Sequence, residues 1–129
     1  MKLFLDANFI FSTSNKSSQL NRLIRIVKES HTVITSNYAQ IEAIRNIRAK
    51  RPNWEFGYTQ IMQRIEVVES IDRMLQIELA AKDRPILATA IACKCDYLVT
   101  GDKRDFGHLF DQIIGGVTVI TPLTLAKML

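Results

Sequence analysis

The chain has 129 residues, of which 47% are hydrophobic and 23% charged, and its formal net charge is +4. That length fits one core and one domain spanning residues 1–129, with a composition ordinary for a soluble globular protein. No apolar stretch approaches a membrane span, and two cysteines are too few for a disulfide framework.

In chain order, Lys2–Leu5 (KLFL) is a short apolar run, read as a buried strand. Asp6 ends it too soon for a signal-peptide core, so a cytoplasmic protein is expected. Leu20, Leu23, Ile24 and Val27 recur at helical spacing, and Thr32–Thr35 (TVIT) is a second strand, rich in β-branched residues. Ser36 or Asn37 can cap the helix that follows, with Tyr38, Ile41, Ile44 and Ile47 along one side. Pro52-Asn53 breaks that helix. Trp54, Tyr58, Ile61, Ile65 and Val68 then form a stripe, most simply core-facing and alternatively a dimer surface, and Ile65–Glu69 overlaps a third strand.

Asp83-Arg84-Pro85 opens another helix, Asp96–Thr100 (DYLVT) is a fourth strand, Val117–Thr121 (VTVIT) a fifth, and Pro122 starts a terminal helix. Strands alternating with helices predict an α/β fold with a parallel sheet covered on both faces. Cys93 and Cys95 read as small buried hydrophobes rather than metal ligands, since His31 and His108 are remote in sequence.

The acids fall in a pattern. Asp6 follows the first strand, Glu42 lies one turn into the helix after the second, Asp83 stands at a helix start, and Asp102 and Asp105 follow the fourth strand. In a parallel sheet every carboxyl end lies on one edge, where open α/β sheets bind their ligands. Each acid alone has a plainer explanation. Asp83 could be an N-cap, Asp102 and Asp105 turn residues, and Glu42 an exposed helical glutamate. Asp6 is hardest to dismiss, because aspartate is disfavoured beside a buried strand. Two like charges ~4 Å apart repel by about 4 kcal/mol at an effective dielectric of 20. Several such acids together must take up protons or cations. An all-oxygen set favours Mg²⁺ or Mn²⁺, one or two per site.

The blocks FLDANFIFS, SNYAQIEAIRNI, KDRPILATAIA and YLVTGDKRDFGHL, with VITP near the end, resemble PIN-domain ribonucleases in order and spacing over essentially the whole chain. The likeness is greatest to the toxin-type, VapC-like members of toxin–antitoxin systems and their unpaired relatives. The resemblance implies a three-layer PIN-like sandwich with a central parallel sheet of strand order 3-2-1-4-5. It implies metal-binding and catalytic roles for Asp6, Glu42, Asp83 and Asp102, with Asp105 as a further ligand. Asn8 and Thr100 match the family's supporting polar residues.

The expected function is hydrolysis of RNA phosphodiester bonds by a Mg²⁺- or Mn²⁺-dependent endoribonuclease without an organic cofactor. Arg45, Arg84, Lys103 and Arg104 are candidate phosphate contacts. A small antitoxin protein and a homodimer are the partners the family suggests. Two other readings stand beside this one. A phosphorylatable receiver-type signalling module needs an acceptor aspartate after the third strand and a lysine before a late proline, where this chain has Glu69 and Ile120-Thr121. A non-catalytic RNA-binding scaffold would show salt-dependent RNA affinity without cleavage.

Overall fold

The computed structural model, which describes residues 1–129, sets the short apolar runs side by side. In chain order it forms β1 (Lys2–Leu5), α1 (Ala7–Thr13), α2 (Gln19–Ser30), β2 (Thr32–Ser36), α3 (Asn37–Lys50) and a 3₁₀ turn (Pro52–Trp54). Next come α4 (Glu55–Met62), β3 (Glu66–Val68), α5 (Arg84–Ala92), β4 (Tyr97–Val99), α6 (Lys103–Phe106), a second 3₁₀ turn (Gly107–Leu109), β5 (Ile113–Ile114), β6 (Val117–Ile120) and α7 (Pro122–Met128). The six strands lie in the order β3-β2-β1-β4-β6-β5. All pair in parallel except β5 with β6.

The expected order 3-2-1-4-5 is therefore present, its fifth strand being β6. The addition is β5, a two-residue strand at the edge. Ile114 pairs with Val117, so Gly115 and Gly116 form a two-residue hairpin turn. Both have positive φ, 57° and 87°, as the mirror-image turns of tight hairpins require. A glycine pair between two apolar runs is a hairpin signature.

Leu3, Phe4 and Leu5 are each 0% exposed. The run does not alternate with polar residues because layers cover both of its faces. α1, which the sequence reading does not anticipate, follows at once, with Asp6 as its N-cap. It packs against α2, α3 and α4. Gly57 of α4 sits so close to the Ser14 carbonyl that a Cβ there would collide with backbone.

The buried face of α3 differs from the expected one. Ala39, Ala43 and Ile47 are buried, while Tyr38 and Ile41 face outward. Small side chains at positions four apart let α3 approach α1 closely, and the larger ones turn away. The stripe after Pro52 does face the core: Tyr58, Ile61 and Ile65 are buried, and Trp54 packs on Phe11 with ring centroids 5.2 Å apart. The core-facing reading of the stripe therefore holds for those three side chains.

Residues 69–80 form neither helix nor strand. This strap is tied at several points. Ser70 N donates to Asn37 Oδ1 (2.9 Å), Ile71 N to Thr89 Oγ1 (2.8 Å), and His108 Nε2 to the Glu78 carbonyl (2.6 Å). Just beyond it, Tyr38 Oη donates to the Lys82 carbonyl (2.6 Å).

Candidate active site

The connections run one way from β1 through β2 to β3 and the other way from β4 to β6, so the order reverses between β1 and β4. Leu5 is in register with Val99. Asp6 and Thr100 therefore leave the sheet side by side at the switch point. The Asp6 amide still donates to the Val99 carbonyl, 3.1 Å.

Asp6 is 5% exposed. Its Oδ1 accepts from the Ala7 amide (2.7 Å) and its Oδ2 from Thr100 Oγ1 (2.8 Å). That hydroxyl also accepts from Asn8 Nδ2 (3.3 Å) and from the Asp102 amide (3.1 Å). Asn8 Oδ1 accepts from the Gly101 amide, 3.2 Å. A threonine hydroxyl has one hydrogen to give and two lone pairs to fill, and all are used here. The network ties the start of α1 to the turn after β4 and orients the Asp6 carboxyl.

Asp83, Asp102 and Asp105 form a tighter trio, each offering a carboxylate oxygen within 4.8 Å of the others. Asp102 caps α6, its Oδ1 accepting from the Asp105 amide at 3.0 Å. Asp83 precedes α5, yet its side chain makes no capping bond. The plain N-cap explanation thus fails for this residue. Asp83 is 8% exposed, and its Oδ2 is buried without a hydrogen-bond partner. A buried acceptor left unfilled costs roughly 1–3 kcal/mol, more when charged.

Burial pushes the Asp6 carboxyl up to about 7. The Thr100 and Ala7 bonds oppose this, and the charges of Glu42 and Asp83 add to it. Asp83 is likewise raised by burial, to about 6, with Lys82 opposing and Asp105 adding. Asp105 moves the other way, held low first by its bond to Lys82. Glu42 stands exposed on the second turn of α3 and outside the trio, but its charge reaches Asp6 and Tyr38. The sheet edge thus gathers Asp6, Glu42, Asp83, Asp102 and Asp105, with Asn8 and Thr100 bonded beneath them.

No family model matches the chain, and no curated protein does. Solved structures do. A chain of VapBC2 from Rickettsia felis, crystallised bound to a DNA fragment from its promoter, superposes with a TM-score of 0.70 at 16% identity. The match covers 94% of this chain and 98% of that one. VapC20 from Mycobacterium tuberculosis, a toxin that cleaves the sarcin–ricin loop, gives a TM-score of 0.58 at 14% identity, covering 87% and 98%. The fold is that of a VapC-type PIN domain.

Within this PIN fold the candidate cations divide. Arg84 is engaged bidentately by Asp72 of the strap, Nε to Oδ1 at 2.7 Å and Nη2 to Oδ2 at 3.0 Å. Its guanidinium is already occupied and is a poor choice for a phosphate. Arg45, Lys103 and Arg104 are exposed and enter no ion pair. Arg104 shares with Asp105 and His108 a cleft of about 400 Å³ whose other wall is Glu78, Leu79 and Ala80.

Two residues at the PIN edge escaped the sequence reading. Lys82 Nζ lies 2.7 Å from Asp105 Oδ2 and 3.4 Å from Asp83 Oδ2. Tyr38, one turn before Glu42, holds the Lys82 carbonyl. The Lys-Asp adjacency at 82–83 was visible, but only the fold shows that both side chains reach Asp105. Cys95 is buried, with its thiol pushed up to about 12 by burial, and so is inert.

The donor set is entirely oxygen, and Asp83 Oδ2 is buried without a hydrogen bond, with Lys82 Nζ 3.4 Å away as its only ion-pair contact. The trio is compatible with a divalent metal ion of the hard, oxygen-preferring kind.

Proposed function

We propose that this chain is a metal-dependent endoribonuclease of the VapC toxin type, cutting single-stranded or looped RNA. The observation that carries the reading is the carboxylate trio of Asp83, Asp102 and Asp105, in which the buried Asp83 Oδ2 accepts no hydrogen bond, next to the switch point occupied by Asp6. Asp6, Asp83 and Asp102, with Glu42 and Asp105 at the margins, would hold one or two Mg²⁺ or Mn²⁺ ions. A bound ion of this kind supplies Lewis-acid stabilisation of charge on the phosphate and eases deprotonation of water.

The chain's own residues do the remaining work. Thr100 and Asn8 fix the Asp6 carboxyl so that no reorganisation is needed at the moment of reaction. Exposed Glu42 adds a further carboxylate at the margin of the site. Arg45, Lys103 and Arg104 are the exposed cations that would contact the RNA backbone, and Arg104 lines the same cleft as Asp105.

A toxin of this type is expected to pair with a small antitoxin. The Rickettsia neighbour, crystallised as VapBC2 with promoter DNA, supports that expectation, and the loop-cleaving mycobacterial toxin supports RNA as substrate. A cytoplasmic location and a homodimer follow from the same reading. No helix is long and apolar enough to cross a membrane. The test is cleavage of structured RNA with Mg²⁺ or Mn²⁺, with and without EDTA, by the native chain and Asp6→Asn. Cleavage by the native chain alone, abolished by EDTA, is the expected result. Equal cleavage by both chains rejects the assignment.

A further inference from the structure

We propose that the Lys82 ammonium serves as the second cation of the acidic site, so that the native chain takes up one divalent ion where the same carboxylates without the lysine would take up two. This inference rests on the metal-dependent reading above.

Three features place the ammonium there. First, it lies between two members of the trio, 2.7 Å from Asp105 Oδ2 and 3.4 Å from Asp83 Oδ2. An ion ligated through those oxygens would stand about 2.1 Å from each, overlapping that position. Second, the backbone that carries the lysine is tethered. Tyr38 Oη holds its carbonyl at 2.6 Å, and the Asp83 and Arg84 amides both donate to the Ala80 carbonyl, at 2.9 and 3.1 Å. The side chain thus springs from a bonded turn directly before α5, and its local concentration at the trio is high. Third, the ammonium fills only one side of the cluster. Asp105 Oδ2 receives its hydrogen bond, whereas Asp83 Oδ2 gains an ion-pair contact without a hydrogen bond. The acceptor that receives no hydrogen bond leaves the trio, shared with Asp102, room for one further cation.

Charge supports the same count. Paired metal ions in such sites stand about 3.5–4 Å apart and need enough carboxylate to offset their mutual repulsion. A lysine already in the cluster removes both the space and part of the negative charge that a second ion would use. The ammonium can then face an RNA phosphate from the Asp105 side, next to Arg104.

The experiment is a Mn²⁺ titration at fixed pH, followed by calorimetry and by the EPR signal of free Mn²⁺. It compares the native chain with Lys82→Met, Lys82→Arg and Lys127→Met. The native chain, Lys82→Arg and the distal control should each bind one ion, and Lys82→Met two. Circular dichroism and melting verify that each variant is folded. Two ions in the native chain, or the same number in native and Lys82→Met, overturns the inference and leaves the nuclease reading intact. No Mn²⁺ binding by any of the folded chains overturns both.

Discussion

Two charged regions of this molecule invite the same guess and deserve opposite readings. The acidic one is the sheet edge at Asp6, Asp83, Asp102 and Asp105. The basic one is a groove of about 410 Å³ lined by Lys16, Arg25, Lys28 and Arg64 with Glu29, Asn21 and residues 60, 61 and 63. The groove is roomy and strongly charged. Yet its central cation is already used: Lys28 Nζ donates to the Ile61 carbonyl at 2.8 Å and the Gln63 carbonyl at 2.7 Å. Those groups lie at and just beyond the C-terminus of α4, where helix carbonyls are unpaired and a positive charge is favoured. Lys28 therefore stitches α2 to α4. At the sheet edge the accounting is reversed: Asp83 Oδ2 is buried without a hydrogen bond, and burial raises the Asp6 carboxyl to about 7. What distinguishes a site from a charged surface is whether the charge has been satisfied by the fold.

The sharpest way to break the contrast is Asp6→Asn. RNA cleavage in Mn²⁺ should fall by about a thousandfold, the several kcal/mol attributed to a metal site, while the variant remains folded. A rate within tenfold of native would put the chemistry elsewhere.

Next comes pH. Between its ordinary value of 3.8 and the native value near 7, Asp6 is protonated in the folded chain and ionised in the unfolded one. Stability of the metal-free chain should therefore decline as pH rises from about 4. The full penalty, about 4 kcal/mol, should be present above pH 7. Asp83 acts in the same direction, so its loss of stability adds to that of Asp6. Chemical denaturation at pH 5 and pH 8 measures this. Added Mn²⁺ should restore more stability at pH 8 than at pH 5, and Asp6→Asn should flatten the profile. A metal-free chain equally stable at both values contradicts the burial argument.

On the basic side the expected effects are smaller. Lys28→Met should lower stability by about 1 kcal/mol, a charged hydrogen bond discounted for its partial exposure, and leave RNA cleavage unchanged. A large loss of RNA affinity in that variant would turn the groove into a binding surface. The smallest effect is at the exposed cations. Lys103→Ala and Arg104→Ala should each reduce the slope of log affinity against log salt for RNA by roughly 0.7–1. Arg84→Ala should leave that slope unchanged, because Asp72 already holds its guanidinium.

Much of this was legible in the residues. Alternating strand and helix patterns gave the parallel sheet, and the placement of acids after strands one and four gave the crevice. α1 was missed because ANFIFST follows a strand without a break, so periodicity has no start mark there. The buried face of α3 was misjudged because bulk, the usual guide to burial, loses to close approach when alanines line the contact. β5 was missed because two residues are too few to carry a pattern.

The sequence by itself determined which residue types exist for chemistry, and that Asp6 ends a strand too apolar to tolerate it cheaply. Tertiary structure alone decided which charges remain unmet. Arg84 is claimed by Asp72, Lys28 by α4, and Asp105 by Lys82, while the buried Asp83 Oδ2 has only a longer contact to Lys82 and accepts no hydrogen bond. The physical reason is that satisfaction of a charge depends on a few ångströms between side chains from distant segments, and local spacing along the chain carries no record of those distances.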